Sequence, residues 1–353
     1  MKNENKFILN CCKYLHPDFE LLSELCSQNL DLIYILGQLL YNRVGGIAYF
    51  VLEKAQLIDK QNREFRNTLK TIYQTNIAKG KSFQNSLDFL GGVFTEVDFP
   101  YAFLKGSYLS SLYLSGMRTS NDIDILINFK NIPDISKLLL NSGFVQGYIR
   151  NNKILPATRA QIITSQMNRG ETVPFIKEVN YPHMKFLEID VNVSLDFKPE
   201  KDRSIVEKIL ENKNADIKTE NGTLNTLSKD DFLIQLCVHL YKEATVYNWV
   251  EFGRDQGLYK YLDIYLMLNK FEDIINFEKI NSLGLQKECY YALNGVNKLL
   301  DLNVPLENIQ ISDLSFLNEI TDVVNKKVYR YDIDFIDWIF CAKRNEMLYE
   351  ITI

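Results

Sequence analysis

The stretch FLKGSYLSSLYLSGMRTSNDIDILIN, residues 103–128, decides how the chain is interpreted. It places Gly106 and Ser107 ahead of two aspartates, Asp122 and Asp124, which one apolar residue separates. Residues i and i+2 of a strand point to the same face, so both carboxylates share one face and the isoleucines share the other. Burying ionised carboxylates is costly unless a cation compensates them. The pattern therefore predicts a strand that binds a cation.

A second acidic strand is predicted in FLEIDVNVSL, residues 186–195. Glu188, Asp190 and Asn192 share one face there, and the apolar residues between them share the other. If the two strands are neighbours, three or four acidic groups converge, and like charges so close need a cation to stay ionised. Carboxylate oxygens favour a hard ion such as Mg²⁺. Two such ions about 3.5–4 Å apart are the usual clamp for displacement at phosphorus.

The Gly-Ser turn supplies an anion site in this interpretation. Gly106 allows a ligand to approach the backbone closely. Ser107 is predicted to open a helix over residues 107–116, where its hydroxyl and the first free N–H groups would hold an anion. A triphosphate held there would reach ions held by Asp122 and Asp124. This arrangement suits nucleotidyl transfer.

These motifs resemble the signature of the polymerase-β-like nucleotidyltransferase superfamily, a Gly-Ser followed by a D-x-D strand and a third acid on a later strand. The sequence pattern LKG…R…NDIDILI, followed by FLEIDVNVSL, is similar to that of a bacterial group described as uncharacterised nucleotidyltransferases. The resemblance is specific over residues 103–128 and loose over residues 35–270.

The resemblance implies roles for individual residues. Gly106 and Ser107 would bind the triphosphate of ATP or another NTP as co-substrate. Asp122, Asp124 and Asp190 would form the catalytic set that holds two Mg²⁺ ions, and Asp190 would also help to deprotonate the acceptor hydroxyl.

Other residues near the motifs leave alternatives open. Lys105 flanks the Gly-Ser pair and could contact the phosphates. The resemblance implies that Lys242, near the end of a predicted helix, could neutralise the leaving pyrophosphate. A lysine at a helix C-terminus is also simply favourable with the helix dipole. Arg118 is expected to hold the loop before the D-x-D strand, with contact to phosphate as the alternative. Two residues after Asp190 the subgroup often has His, and here Asn192 stands in that position, so the acceptor side is undefined.

Composition limits the class of protein. The 353 residues, 46% apolar and 24% charged, predict a globular chain of two or three domains. The net charge of −5 argues against a general nucleic-acid or membrane-surface binder. We read no signal peptide and no membrane-spanning apolar run, and the six scattered cysteines suit reduced thiols, so a cytoplasmic protein is expected.

One segment, residues 148–187, is basic within this acidic chain. It reads either as a solvated face or as an arm that attracts a triphosphate or an anionic acceptor. Its two acids, Glu171 and Glu178, stand against six cations: Arg150, Lys153, Arg159, Arg169, Lys177 and Lys185.

The order of predicted elements gives an α+β fold, with a small mixed β-sheet carrying the nucleotidyltransferase site between N-terminal and C-terminal helical regions. The expected domains are residues 1–95, 96–198 and 199–353. A second D-x-D, Asp332 and Asp334 in YRYDIDFIDWIF, lacks a preceding Gly-Ser turn and is interpreted as the charged start of a helix.

The sequence thus predicts a Mg²⁺-dependent nucleotidyltransferase that moves an NMP from an NTP to a hydroxyl of a small molecule or peptide, releasing pyrophosphate. One alternative is a toxin-like transferase that adds nucleotides to tRNA. Another is a degenerate transferase fold that acts as a nucleotide-binding regulatory module. The base of the NTP, the acceptor and the oligomeric state stay open.

Overall fold

The computed structural model describes residues 1–168, 170–195, 204–212 and 215–351. The chain divides into two compact units, one of residues 75–235 and the other of residues 1–74 and 236–353. The predicted domain boundary at 198/199 and Arg169 lie outside the described residues. The three-part domain division stays a prediction.

The unit of residues 75–235 is built around an eight-stranded mixed sheet. Its strands lie in the order β4-β3-β5-β6-β2-β1-β8-β7. The pairs β2–β6 and β1–β8 are parallel, and the other neighbours are antiparallel. The strands are β1 (Tyr101–Phe103), β2 (Asp122–Ile127), β3 (Val145–Arg150), β4 (Lys153–Pro156), β5 (Phe175–Tyr181), β6 (Met184–Asn192), β7 (Ala215–Thr219) and β8 (Gly222–Thr226).

Helices occur between the strands of this unit along the sequence. The predicted α+β class with a mixed sheet is confirmed. The helices are α6 (Gly106–Leu109), α7 (Ile132–Asn141), α8 (Arg159–Asn168) and α9 (Ser204–Glu211), with parts of α5 (Arg63–Val93) and α10 (Lys229–Thr245).

The sheet is larger than the sequence predicted, because β7 and β8 come from the segment expected to be helical. The strands β7 and β8 carry few apolar residues. Ile217 of β7 and Leu224 of β8 are both buried and lie opposite each other in register. The Thr226 hydroxyl donates to the Phe103 carbonyl at 2.6 Å and so ties β8 to β1. Short polar strands give a weak sequence signal, since their stability comes from the neighbouring strand.

The predicted helix over residues 107–116 is also wrong, because α6 is a single turn. Ser110 and Ser111 follow that turn directly. The Ser110 hydroxyl donates to the Ser107 carbonyl at 3.2 Å, and the Ser111 hydroxyl donates to the Tyr108 carbonyl at 2.7 Å. Serine hydroxyls that bond nearby carbonyls compete with continued helix formation.

The two acidic strands bury the faces that the sequence pattern assigned to the core. Ile123, Ile125 and Ile127 of β2 are fully buried, as are Leu187 and Ile189 of β6. Burial of each such side chain contributes about 1.5–3 kcal/mol relative to exposure. This apolar face fixes the register of both strands, because a slip by one residue would turn the carboxylates into the core.

The unit of residues 1–74 and 236–353 is mostly helical. It also contains a three-stranded antiparallel sheet of order β11-β10-β9, which the expectation of a helical C-terminal region missed. Its elements are α1 (Asn3–Cys12), α2 (Phe19–Cys26), α3 (Leu32–Tyr41), α4 (Gly45–Lys54), α11 (Tyr247–Glu251), α12 (Leu258–Lys270), α13 (Phe277–Leu283), α14 (Gln286–Leu300), β9 (Glu319–Asp322), β10 (Lys327–Arg330), α15 (Phe335–Phe340) and β11 (Tyr349–Ile351).

The interior of this unit holds a buried ion pair and a stacked aromatic pair. Arg344 pairs with Asp255 at 2.6 Å, and Tyr331 stacks on Trp338 with ring centroids 3.9 Å apart.

Asp334 of the second D-x-D caps α15 by accepting from the Ile336 N–H, as the helix-start interpretation requires. The six cysteines are free thiols. No helix in the described part of the chain is long and apolar enough to cross a bilayer.

Candidate active site

The acidic strands β2 and β6 are parallel neighbours, which was the condition attached to the sequence prediction. Their register places Asp122 opposite Glu188 and Asp124 opposite Asp190. Because the opposite faces of both strands are buried, the four carboxylates share the other face of the sheet. The fold therefore brings together the three acids predicted to bind metal, with Glu188 beside them.

Asp124 lies deepest in this acidic face. It is 6% exposed, and its Oδ1 accepts a hydrogen bond from the Lys105 ammonium at 2.9 Å. The Asn192 amide also donates to this oxygen, at 3.4 Å, and to the Asp190 carbonyl. A charged donor and an amide donor thus both bind the same carboxylate oxygen. Lys105 thus belongs to the acidic site itself, and Asn192 acts there as a hydrogen-bond donor.

Asp190 has strongly perturbed acid–base properties. Desolvation raises its pKa well above the ordinary value, and the negative charges of Asp124 and Glu171 raise it further. Desolvation also raises the pKa of Glu188, with Asp122 adding to the effect. Carboxylates pushed toward protonation in a cleft are candidates for proton transfer or cation binding.

Asp122 lies at the outer end of the same face. Its side chain keeps access to solvent, yet the protein atoms around it raise its pKa by desolvation, and the charge of Asp124 adds to this. The positive charges of Lys105 and Arg118 act in the other direction and lower the pKa of Asp122. The balance shows that positive charge from the protein itself offsets part of the mutual repulsion of the acids.

The donor chemistry of this face fits a hard divalent cation. Among the described residues, no group of three or more His, Cys, Asp or Glu side chains is already arranged to hold a metal ion. The acids nevertheless offer oxygen ligands at neighbouring register positions, and desolvation together with their mutual negative charge raises the pKa values of Asp122 and Asp190. Asp122, Asp124 and Asp190 are the residues that would hold Mg²⁺ here.

The turn between β1 and α6 positions Lys105. The Ser107 N–H donates to the Leu104 carbonyl at 3.1 Å, which closes a four-residue turn around Lys105 and Gly106. Lys105 has φ +45° and ψ −118°, close to the first central position of a type II′ turn, where glycine is preferred. A side chain held there costs on the order of 1–3 kcal/mol.

Gly106 is needed for space and not for a positive φ. A Cβ at this position would lie 1.9 Å from the Ser120 hydroxyl oxygen. The Ser120 hydroxyl also accepts a hydrogen bond from the Arg118 guanidinium at 2.7 Å, and the same guanidinium donates to the Thr119 carbonyl at 2.9 Å. Arg118 thus holds the loop that Gly106 packs against, which supports the structural role expected of it.

Ser107 carries a buried hydroxyl group. The residue is fully buried, and its hydroxyl oxygen has no hydrogen-bond partner among the described residues. A buried unsatisfied hydroxyl is costly, and at a predicted phosphate site it is available to a ligand oxygen. The Ser107 hydroxyl is therefore the feature of the Gly-Ser turn that best fits the predicted role.

Two residues bear differently on the sequence predictions. Lys242 lies in the last turn of α10, within the other compact unit, and its contact with phosphate stays a prediction. Glu171 was missed as a member of the acidic group. It forms an isolated bridge with Asn192 and raises the pKa of Asp190. It precedes β5 and follows no alternating pattern, so the sequence carries no signal for it.

Within the described part of the basic segment, some cations bond backbone carbonyls and others are exposed. Lys177 donates to the Ser142 carbonyl and Lys185 to the Asn152 carbonyl, so both have structural contacts. Arg150 and Lys153 are exposed and face each other across the β3–β4 hairpin. Like charges directly opposite destabilise a strand pair.

A mixed sheet that carries acids on neighbouring parallel strands beside a Gly-Ser turn has the architecture of a nucleotidyltransferase. The model of the uncharacterised nucleotidyltransferase family matches residues 32–301, and the chain belongs to that family. The predicted resemblance is confirmed.

Among solved structures, the chain is similar to an antigenic nucleotidyltransferase-like protein from Paracoccidioides brasiliensis. The two are 12% identical with a TM-score of 0.35, over 68% of this chain and 96% of that one. No curated protein matches the chain.

Proposed function

We propose that the protein is a Mg²⁺-dependent enzyme that transfers an NMP from an NTP to a hydroxyl group of a small molecule or peptide. Membership of the family supports nucleotidyl transfer as the class of reaction. The observation that carries the more detailed proposal is the register of Asp124 and Asp190 on parallel neighbouring strands. It gives the site the oxygen ligands that chemistry at a triphosphate requires.

The residues divide into groups that bind phosphate and groups that act on the acceptor. Ser107 donates its buried hydroxyl to a phosphate oxygen, and Gly106 allows the turn to pack tightly enough to place it. Asp122 and Asp124 hold the divalent cations with Asp190. Bound divalent cations supply charge neutralisation at the phosphates.

The transfer step balances within these groups. The acceptor oxygen attacks the α-phosphorus, the bond from that phosphorus to the bridging oxygen breaks, and pyrophosphate leaves with the bonding electrons. The acceptor proton passes to Asp190, which acts as general base. Orientation and charge stabilisation supply most of the rate enhancement.

The direct test is incubation with each of the four labelled NTPs, Mg²⁺ and a fractionated cell extract, followed by mass analysis of labelled products. We expect a Mg²⁺-dependent product one NMP heavier than its acceptor, which disappears with Asp124→Asn. Labelling that persists in Asp124→Asn at the wild-type rate would disprove the site.

Addition of nucleotides to tRNA is a second candidate, favoured by Arg150 and Lys153. The opposed cations of the hairpin would be stabilised by the phosphates of an RNA. Arg150→Gln with Lys153→Gln should then weaken tRNA binding and reduce its dependence on salt. Lys218→Gln, on the opposite edge strand β7, is the matched control. Absence of any tRNA labelling removes this candidate.

A regulatory module that binds nucleotide without turnover is the remaining alternative. Calorimetry with each NTP and Mg²⁺ tests binding, and a pyrophosphate assay with the fractionated cell extract as the source of acceptor tests turnover, because such a module would bind nucleotide and release no pyrophosphate. We expect binding and pyrophosphate release together, both lost in Asp122→Ala.

A further inference from the structure

We propose that Lys105 is the resident cation of the acidic face: its ammonium group holds Asp124 until a divalent cation displaces it, and so sets the concentration at which the site accepts metal. This inference rests on the proposed function, because it assumes that the acids bind a divalent cation. It concerns the state before metal arrives and assigns a role to a residue of the chain itself.

The first support is the conformation of Lys105. Its φ of +45° and ψ of −118° lie in a region that glycine adopts freely and other residues rarely adopt. The next residue, Gly106, does not have a positive φ. Glycine is needed there because a Cβ would overlap Ser120. The strained position is thus held by the residue with the long cationic side chain.

The second support is where that side chain goes. The Lys105 ammonium lies 2.9 Å from Asp124 Oδ1, and both side chains are largely buried, with 24% and 8% of their surface exposed. An ion pair removed from water to this degree is screened little by salt. The contact therefore gives the buried Asp124 carboxylate a charged donor in place of the water that burial removes.

The third support is the charge balance on this face. Asp190 is the register partner of Asp124, and Asp122 lies two residues away on the same face. A divalent cation bound to these acids would stand within a few ångströms of the Lys105 ammonium, and like charges at that distance repel strongly. Metal and ammonium thus compete for Asp124, and the ammonium must move when metal binds.

Mn²⁺ binding measures this competition without any turnover. Electron paramagnetic resonance at pH 8 would follow Mn²⁺ alone with the full-length wild type, Lys105→Met, Lys177→Met and Asp124→Asn. We expect Lys105→Met to bind Mn²⁺ about tenfold more tightly than wild type, since the competitor is gone. Lys177→Met, which removes another partly buried ammonium that bonds a backbone carbonyl, should leave the affinity unchanged.

Equal or weaker Mn²⁺ binding by Lys105→Met, with Asp124-dependent binding in wild type, overturns the inference and leaves the proposed function intact. Absence of Mn²⁺ binding in both wild type and Lys105→Met overturns the inference and removes the metal site from the proposed function. Lys105→Gly, which relieves the turn and also lacks the ammonium, provides a folded replacement if Lys105→Met fails to fold. It is expected to show the same tighter binding.

Chemical labelling tests displacement in the unaltered chain. Acetic anhydride at limiting concentration modifies lysines in proportion to their accessibility, and mass spectrometry resolves each site. We expect Mg²⁺ to increase modification of Lys105 severalfold, relative to Lys153, which is exposed on the β3–β4 hairpin. Unchanged Lys105 labelling at a Mg²⁺ concentration that saturates the site would show that the ammonium stays in place and would overturn the inference.

Discussion

Asp124 and Asp190 face each other in register on two parallel strands, β2 and β6, that are neighbours in the sheet. Neighbouring strands lie about 4.8 Å apart, so the two carboxylates stand at one level of the sheet and repel each other. The Lys105 ammonium and the Asn192 amide both donate a hydrogen bond to Asp124 Oδ1 and so hold this carboxylate in place. The site is thus an acidic pair to which the protein supplies the Lys105 ammonium.

Asp124→Asn should reduce NMP transfer by at least about 10²–10³-fold, the usual cost of losing one group that stabilises the transition-state charge. The fold should persist, because asparagine fills the same volume and can still accept from Lys105. Initial rates and circular dichroism check the two expectations together.

Asp334→Ala is the control from the other D-x-D. It removes the cap of α15 and should cost about 1 kcal/mol of unfolding free energy while leaving the transfer rate unchanged. A comparable loss of rate in both variants would mean that the D-x-D spacing has no special role at β2.

Ser107→Ala should weaken NTP binding about tenfold without a loss of stability. Its hydroxyl has no partner among the described residues, so the folded state loses no hydrogen bond, whereas a phosphate ligand would. Calorimetry with Mg²⁺–NTP and urea unfolding check the two effects.

Ser82→Ala is matched to that variant, because Ser82 is also buried but donates to the Pro182 carbonyl at 2.6 Å. It should lose about 1 kcal/mol of stability and keep its NTP affinity. If Ser107→Ala instead behaves like Ser82→Ala, the Ser107 hydroxyl is structural.

Gly106→Ala should destabilise the protein by about 1–3 kcal/mol, because its Cβ would overlap the Ser120 hydroxyl. Ser120→Gly in the same chain removes the atoms that clash and should restore part of the loss. A double-mutant cycle by urea unfolding measures the coupling. Additive losses would show that the close approach to Ser120 is not the cause.

Stability in the presence of EDTA should depend on pH through Asp190. Its pKa is raised in the folded state, so the folded protein binds the proton more tightly than the unfolded chain does. The stability that this group contributes is complete below its ordinary pKa of 3.8 and is lost as the pH rises through the raised value.

Asp190→Asn removes that titration and should be more stable than wild type near pH 7, with the difference vanishing toward pH 4. Melting temperatures of both chains between pH 4 and pH 8 test this. A variant less stable than wild type at pH 7 would indicate that the ionised Asp190 is stabilised by its surroundings.

The sequence by itself determined which side chains share a face of each strand, because the period of two residues is a local property of extended backbone. This was enough to separate the acids of β2 and β6 from their buried apolar partners and to distinguish Asp334 at a helix start. The same local rules predicted a mixed sheet within an α+β fold.

Tertiary structure decided what depends on distant segments. It made β2 and β6 parallel neighbours, brought Glu171 near Asp190 and added β7 and β8 to the sheet. It also placed Lys105 in a strained turn whose side chain reaches Asp124. None of these has a local signal, since strand pairing and the contacts of a turn side chain depend on residues far away in the chain.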